Sequence, residues 1–400
     1  MCIRDSVYTA PEESNLLLDI SVDNRSVLKS FFAKVKDTSK EKVSLTINDN
    51  SDAIKEWTHH LGVALAENTS LTSLDLTLSN CLMDGNLGEG VRESLLRSPS
   101  IKTLSLTINC CDIEGLVRTL STCFAQKTSF TTLSLEINDY SERHSAGLRR
   151  TKVTNILAGF KSLSTLSVAV HSGRMVPFWG RVVDYCLRKC TSVKNLSLAF
   201  NMGQYSVRDD TYTIRDALAK TTSLNTFSLA ICVNCFDNYS LLGCLAKLSA
   251  SLTTLTITLS LCHHLDSTIF RKSVSRFKKG LLKSKSVTTL SLTINEFGEG
   301  ISNIGSLLVH LGVFEGLAQN TSVTTFNLTL NSSREVSDAW LPDLCDALRK
   351  NSSLTTLRLK VNNHCSTGKS RLYDLRKLAL ESKSLSLLEL EVSFYGKESD

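Results

Sequence analysis

Cys232 and Cys235 form a Cys-x-x-Cys pair, and Cys262, His263 and His264 follow in the corresponding loop of the next repeat. Thiolates and imidazoles at such spacing are zinc ligands or redox partners when a second pair or a thioredoxin-like context completes them. The chain supplies neither. These residues read as ordinary loop positions, with a composite site built from the two loops as the metal alternative. Cys186 and Cys190, one helical turn apart, read as small apolar residues of a helix. Gly85, Gly88 and Gly90, and again Gly298 and Gly300, precede helical stretches as a phosphate-cradling loop does. No Lys-Ser/Thr follows either cluster, so they read as turns. Nowhere do a nucleophile, a base and an orienting group gather. An enzyme is therefore not expected, and neither a cofactor nor a metal is.

The most unusual charge feature is an acid-free stretch, 271–285, holding Arg271, Lys272, Arg276, Lys278, Lys279, Lys283 and Lys285 around Phe277 and Leu281. On an amphipathic helix such charges normally face water. Nucleic-acid binding would need interleaved aromatics or a second basic stripe, and a net charge of +6 over 400 residues adds little. No run of about 18 apolar residues suggests a membrane span.

What must position any functional residue is an internal repeat. Thirteen times a serine is followed by three residues and then apolar positions in alternation, as in Ser-Ile-Lys-Thr-Leu-Ser-Leu-Thr-Ile-Asn from Ser100 and Ser-Val-Thr-Thr-Leu-Ser-Leu-Thr-Ile-Asn from Ser286. Successive serines lie 25 to 36 residues apart, the period of stacked supersecondary units. Alternation such as Leu290, Leu292, Ile294 predicts a short strand with one buried face. Upstream of each serine, apolar residues four apart, such as Leu61 and Leu65 or Leu344 and Leu348, predict a helix. Neither face can be buried by one unit alone. Stacking buries both, with about 1.5–3 kcal/mol from each buried side chain. The spacing predicts thirteen parallel strands in one sheet, centred near residues 20, 45, 76, 106, 135, 168, 198, 229, 257, 292, 328, 359 and 390. The serine hydroxyl is expected to satisfy backbone groups left open at the helix end. Trp57, Trp179 and Trp340 share one phase of the repeat and should share a packing role.

The strand segment Leu-x-x-Leu-x-Leu-x-x-Asn, seen at Ile101 to Asn109 and Leu354 to Asn362, resembles the leucine-rich repeat. Its length, near 31 residues with a full helix, is similar to the ribonuclease-inhibitor-like class. The recurrent Asn-Thr-Ser at Asn68 and Asn320 and the extra apolar residue before the strand-end asparagine resemble the leucine-rich regions of NOD-like receptors of cnidarians and related invertebrates. That resemblance implies an α/β solenoid, a horseshoe with strands on the concave face and helices on the convex face. It also implies a non-enzymatic recognition domain, with sensing and autoinhibitory roles in an intracellular innate immune receptor. The same repeats occur in F-box substrate receptors and GTPase activators. An adaptor is the rival reading, and for an activator Arg143 or Arg174 would be the exposed catalytic arginine.

The repeats leave no room for a second domain, so residues 7–400 are expected to form one solenoid. Residues 1–6, Met-Cys-Ile-Arg-Asp-Ser, translate a string resembling the transposase end used in sequencing libraries and are read as an adapter scar. On that reading the chain is a fragment with a further domain upstream. The cysteines, twelve once Cys2 is set aside, are scattered rather than paired at the ends, which points to a reducing, cytoplasmic setting. Eight Asn-x-Ser/Thr sequons argue the other way, although several follow from the Asn-x-Ser of the helix end.

Outward strand positions such as Ser197, Ala199, Ser228 and Ala230 carry neither charge nor ring, and interface hot spots favour Trp, Tyr and Arg. The loops after the strands are richer. Tyr140, Arg143, His171, Arg174, Tyr205, Asp209, Asp210, Tyr212, Phe236, Tyr239 and His263 lie there, where side chains vary freely on a rigid scaffold. That loop edge is the expected binding site for a protein partner or microbial ligand, with an upstream domain of the same chain as a second partner. Neither membrane nor nucleic acid is expected.

Overall fold

The computed structural model describes residues 15–21, 32–36, 41–48, 54–79, 92–93, 95–98, 100–109, 129–139, 162–172, 191–202, 218, 220–233, 250–261, 277–296, 312–332, 340–363, 382 and 384–394. The chain divides into two compact units. The first carries β1 (Asn15–Ser21), β2 (Lys42–Asn48), β3 (Ser73–Ser79), β4 (Thr103–Asn109), β5 (Thr132–Asp139) and β6 (Thr165–Ser172). The second carries β7 (Asn195–Met202), β8 (Thr226–Val233), β9 (Thr254–Leu261), β10 (Thr289–Glu296), β11 (Thr325–Ser332), β12 (Thr356–Asn363) and β13 (Leu387–Phe394). Within each unit every strand pairs in parallel with the next in sequence, so the thirteen serine-phased segments are thirteen strands.

Register follows the period. Leu290, Leu292 and Ile294 of β10 stand opposite Phe326, Leu328 and Leu330 of β11, and all six are buried. Because side chains alternate faces, a slip of one residue would turn each of these rows out to solvent. The backbone fixes the same register at the entry to β11 and β12. The amides of Thr324 and Thr325 both donate to the Thr288 carbonyl, at 2.9 and 3.0 Å, and those of Thr355 and Thr356 donate to Thr324 in the same way. The Thr324 hydroxyl adds a third donor to that carbonyl at 3.3 Å.

The helices occupy the predicted half of the period. They include α1 (Ile54–Glu67), α2 (Val313–Gln319) and α3 (Leu341–Lys350), with about two further helical turns over 277–283. The paired apolar positions Leu61 and Leu65, Phe277 and Leu281, Val313 and Leu317, and Leu344 and Leu348 are all buried. Adjacent helices come close at Gly316, where a Cβ would lie 3.0 Å from Cδ2 of Leu281. Trp340 is buried and stacks on Phe314 with ring centroids 6.1 Å apart, the packing role expected of it. The side chains of Trp57 and Trp179 lie outside the described residues. Parallel strands with buried apolar rows, a helix in each described period and bonds that recur with the period make this an α/β leucine-rich-repeat solenoid.

The serine hydroxyl does something other than close its own helix. Ser162, Ser192 and Ser251 donate to the carbonyls of Phe130, Leu163 and Leu224 at 2.9, 2.7 and 2.8 Å. Each acceptor is the residue that follows the serine of the preceding repeat. Ser322 reaches both Val287 O, at 2.9 Å, and Ser284 O, at 3.2 Å, the latter at the end of the preceding helix. The serine is thus a tie between repeats, and the carbonyl it satisfies belongs to a neighbour about thirty residues back.

Two residues before the serine stands a second tie. Asn68, Asn320 and Asn351 are buried there, as are Ser98 and Thr221 at the same position. Asn320 Nδ2 donates to Leu281 O at 2.7 Å and Ser284 O at 3.1 Å, both in the preceding repeat. Its Oδ1 accepts from the amides of Ser322 and Val323 at 2.9 and 2.8 Å. Asn351 repeats the pattern with Leu317 O, Asn320 O and the amides of Ser353 and Leu354. One buried amide therefore caps the helix end of one repeat and shapes the turn into the strand of the next.

Candidate functional site

The strand residues that face away from the buried rows form a surface in four parallel rows. Neighbouring strands are about 4.8 Å apart, so the residue at a given phase recurs every strand. In the second unit one row runs Ser197, Ser228, Thr256, Ser291, Asn327, and the next runs Ala199, Ala230, Thr258, Thr293, Thr329; all are half-buried. From β7 to β11 these two rows carry hydroxyl, methyl and amide groups and no charge.

Charge enters at β12 and β13. Arg358 Nε donates to Glu389 at 2.6 Å and Lys360 Nζ to Glu391 at 2.5 Å, each bond joining the same phase of adjacent strands. The first unit has a smaller counterpart, in which Lys42 Nζ and the Ser44 hydroxyl both donate to Asp75, at 2.7 and 3.1 Å. These groups are roughly half exposed, so their attraction is screened. Arg358→Ala is expected to change unfolding free energy by less than about 1 kcal/mol, with the difference vanishing in high salt. Urea titrations at low and high ionic strength check this.

Where the strands meet the loops, the outer row becomes an amide ladder. Asn138 Nδ2 donates to Asn109 Oδ1 at 2.8 Å, and Asn109 Nδ2 donates to Ser79 Oγ at 2.9 Å. In the second unit Asn362 donates to Asn331 and Asn331 to Asn295, both at 2.6 Å. His171 stands in this row on β6, opposite Asn138, and is half-buried. Cys232 occupies the same phase of β8, opposite Asn201 and Ser260. The expected binding residue His171 therefore sits on the rim between the strand surface and the loops.

The remaining expected site residues, Tyr140, Arg143, Arg174, Tyr205, Asp209, Asp210, Tyr212, Phe236, Tyr239 and His263, lie outside the described residues. So do Cys235, Cys262 and His264. Among the described residues no group of three or more His, Cys, Asp or Glu could hold a metal ion. No described helix is long and apolar enough to cross a membrane. In the basic stretch Lys278 pairs with Glu315 of α2, and Lys279, Lys283 and Lys285 are exposed. Arg271, Lys272 and Arg276 lie outside the described residues.

One buried polar group carries only a weak sequence signal. Glu296, the last residue of β10, points inward and is 3% exposed. Ser332 of β11 donates to its Oε2 at 2.5 Å, while Oε1 is buried without a partner. Only the continued alternation past Asn295 could have marked it as inward.

No family model matches the chain, and no curated protein matches it. Solved structures do. The yeast Rad7 and Elc1 complex is 14% identical over 94% of this chain and 84% of that chain, with a TM-score of 0.45. The tropomodulin C-terminal domain of Caenorhabditis elegans is 18% identical over 40% of this chain and 92% of its own, at 0.29. The Toll–Spatzle complex of Drosophila is 13% identical over 87% of this chain and 43% of that chain, at 0.37.

Proposed function

We propose that the chain is a non-enzymatic recognition domain that binds a protein along the outward strand surface and the adjoining loop edge. The observation that carries this reading is the uncharged floor of β7 to β11, held in register by backbone and side-chain ties so that a partner meets a preformed surface. A preformed surface spares the partner the ordering entropy of a flexible one. Loop residues of the second unit, among them Tyr205, Asp209 and Phe236, supply the specific contacts, as rigid scaffolds with variable loops do.

The finer reading is the sensing and autoinhibitory region of an intracellular NOD-like receptor, in which a protein or microbial ligand displaces contacts to an upstream module. Sequencing the full transcript tests it. An upstream phosphate loop followed by a helical bundle supports it, and an upstream F-box overturns it in favour of the adaptor.

Ala230→Arg tests the surface itself. Charge at the centre of the floor should weaken partner capture at least tenfold, about 1.4 kcal/mol. Stability should move within about 0.5 kcal/mol, because the side chain faces out. Binding that survives Ala230→Arg removes this strand surface from consideration.

A further inference from the structure

Three of the sequon asparagines are the buried caps Asn68, Asn320 and Asn351, exposed by 2%, 3% and 6%. N-glycosylation replaces one Nδ2–H of asparagine by a bond to the first sugar carbon, and the lipid pyrophosphate carrier leaves. In Asn320 and Asn351 both Nδ2 hydrogens are already given to carbonyls of the preceding repeat, so the transfer deletes a buried bond. Asn68 Nδ2 is held by Val35 O at 2.5 Å. A sugar at any of the three would also have to occupy the space between two packed repeats. Two further sequon asparagines spend Nδ2 on the previous strand: Asn327 on Ser291 Oγ at 2.9 Å and Asn331 on Asn295 Oδ1 at 2.6 Å.

From this geometry we infer that the sequons at Asn68, Asn320 and Asn351 are structural caps that exclude a glycan. The chain therefore folds in a compartment without the glycosyl-transfer machinery. Transfer in the secretory pathway acts on the emerging chain, before burial can protect these amides. A chain modified there would carry a sugar where the next repeat must dock, and the stack would stop at that point. The buried caps leave no room for compromise, because an amide whose hydrogens are given to carbonyls cannot take a sugar without leaving one of those carbonyls short of a donor. This inference stands apart from the recognition reading, since it holds whatever the strand surface binds.

The experiment compares the full chain expressed in the cytosol with the same chain directed by an added signal sequence into the secretory pathway of cultured cells, with and without tunicamycin. Glycan occupancy is mapped by mass spectrometry on the soluble, cooperatively melting fraction and on the aggregate. The folded fraction should carry no sugar on Asn68, Asn320 or Asn351, sugar at those positions should appear only in aggregate, and tunicamycin should raise the folded yield severalfold. A folded fraction glycosylated at any of the three overturns the inference, and so does a yield that tunicamycin leaves unchanged. Thr321→Pro with Ser352→Pro provides a second arm, silencing two sequons while keeping both caps. Asn320 and Asn351 already stand at φ −80°, ψ 133° and φ −78°, ψ 129°, the extended region that a following proline requires. Among molecules that mass spectrometry finds unmodified at Asn68, the double variant should raise the folded yield of the untreated secreted chain, and no gain there counts against the caps as the glycan-sensitive positions.

Discussion

Leu292→Ala lowers the free energy of unfolding by roughly 2–5 kcal/mol, the expected result at the middle of an interior strand. Leu292 is 2% exposed and lies between Ile257 of β9 and Leu328 of β11, both fully enclosed. Truncation removes the transfer energy of the side chain and leaves a cavity that two ladders of backbone bonds hold open. Ser291→Ala, one residue away on the outward face, should cost about 1 kcal/mol, because Ser291 accepts a bond from Asn327 Nδ2. Urea titrations with unchanged slope read both values. Equal losses would mean that the two faces are assigned the wrong way round.

Asn320→Ala is expected to be as severe or worse, although only a small polar side chain is lost. Two backbone amides, those of Ser322 and Val323, lose their acceptor together, and the carbonyls of Leu281 and Ser284 each lose one of two donors, keeping only the Ser284 amide and the Ser322 hydroxyl. Each buried polar group left unsatisfied costs about 1–3 kcal/mol. With partial relief by water at the half-buried Ser322, a total of about 3–5 kcal/mol follows. Asn320→Ser should recover part of it, since Ser284, at the same phase of the preceding repeat, already accepts from Val287 N at 3.3 Å. A loss below about 1 kcal/mol in a thermal or urea melt would show that the amide is not the tie between these repeats.

Strands and helices were legible because both rest on apolar periodicity, and the period is set by the serine. Leu290, Leu292 and Ile294 announce an inward face, and Phe277 and Leu281 announce a helix, by spacing alone. The polar ties were only half legible. Asn-Thr-Ser at Asn68 and Asn320 was visible as a recurrence, but a sequence does not say that the amide reaches thirty-odd residues back to the preceding helix. The serine was visible too, yet its acceptor lies in another repeat. Glu296 was barely legible, because a carboxylate at the end of a strand normally faces water. Of the candidate site, the uncharged floor could be read by counting in twos, and His171 falls opposite Asn138 in the first unit as the period requires. Loop residues such as Tyr205 and Asp209 belong to the lengths that vary between periods, 25 to 36 residues, and no period constrains them.

The ties also bear on inheritance. Every bond from Ser322, Ser353, Asn320 and Asn351 to another repeat reaches a fixed phase of the copy before it, whatever residues fill the loop between. A gene segment one whole period long could thus be duplicated or excised by unequal recombination, and each serine and asparagine would find an equivalent carbonyl on its new neighbour. A cut of any other length would leave those acceptors out of phase. Selection on such a lineage acts on copy number and loop sequence almost independently, so the array can change its reach without relearning how to fold.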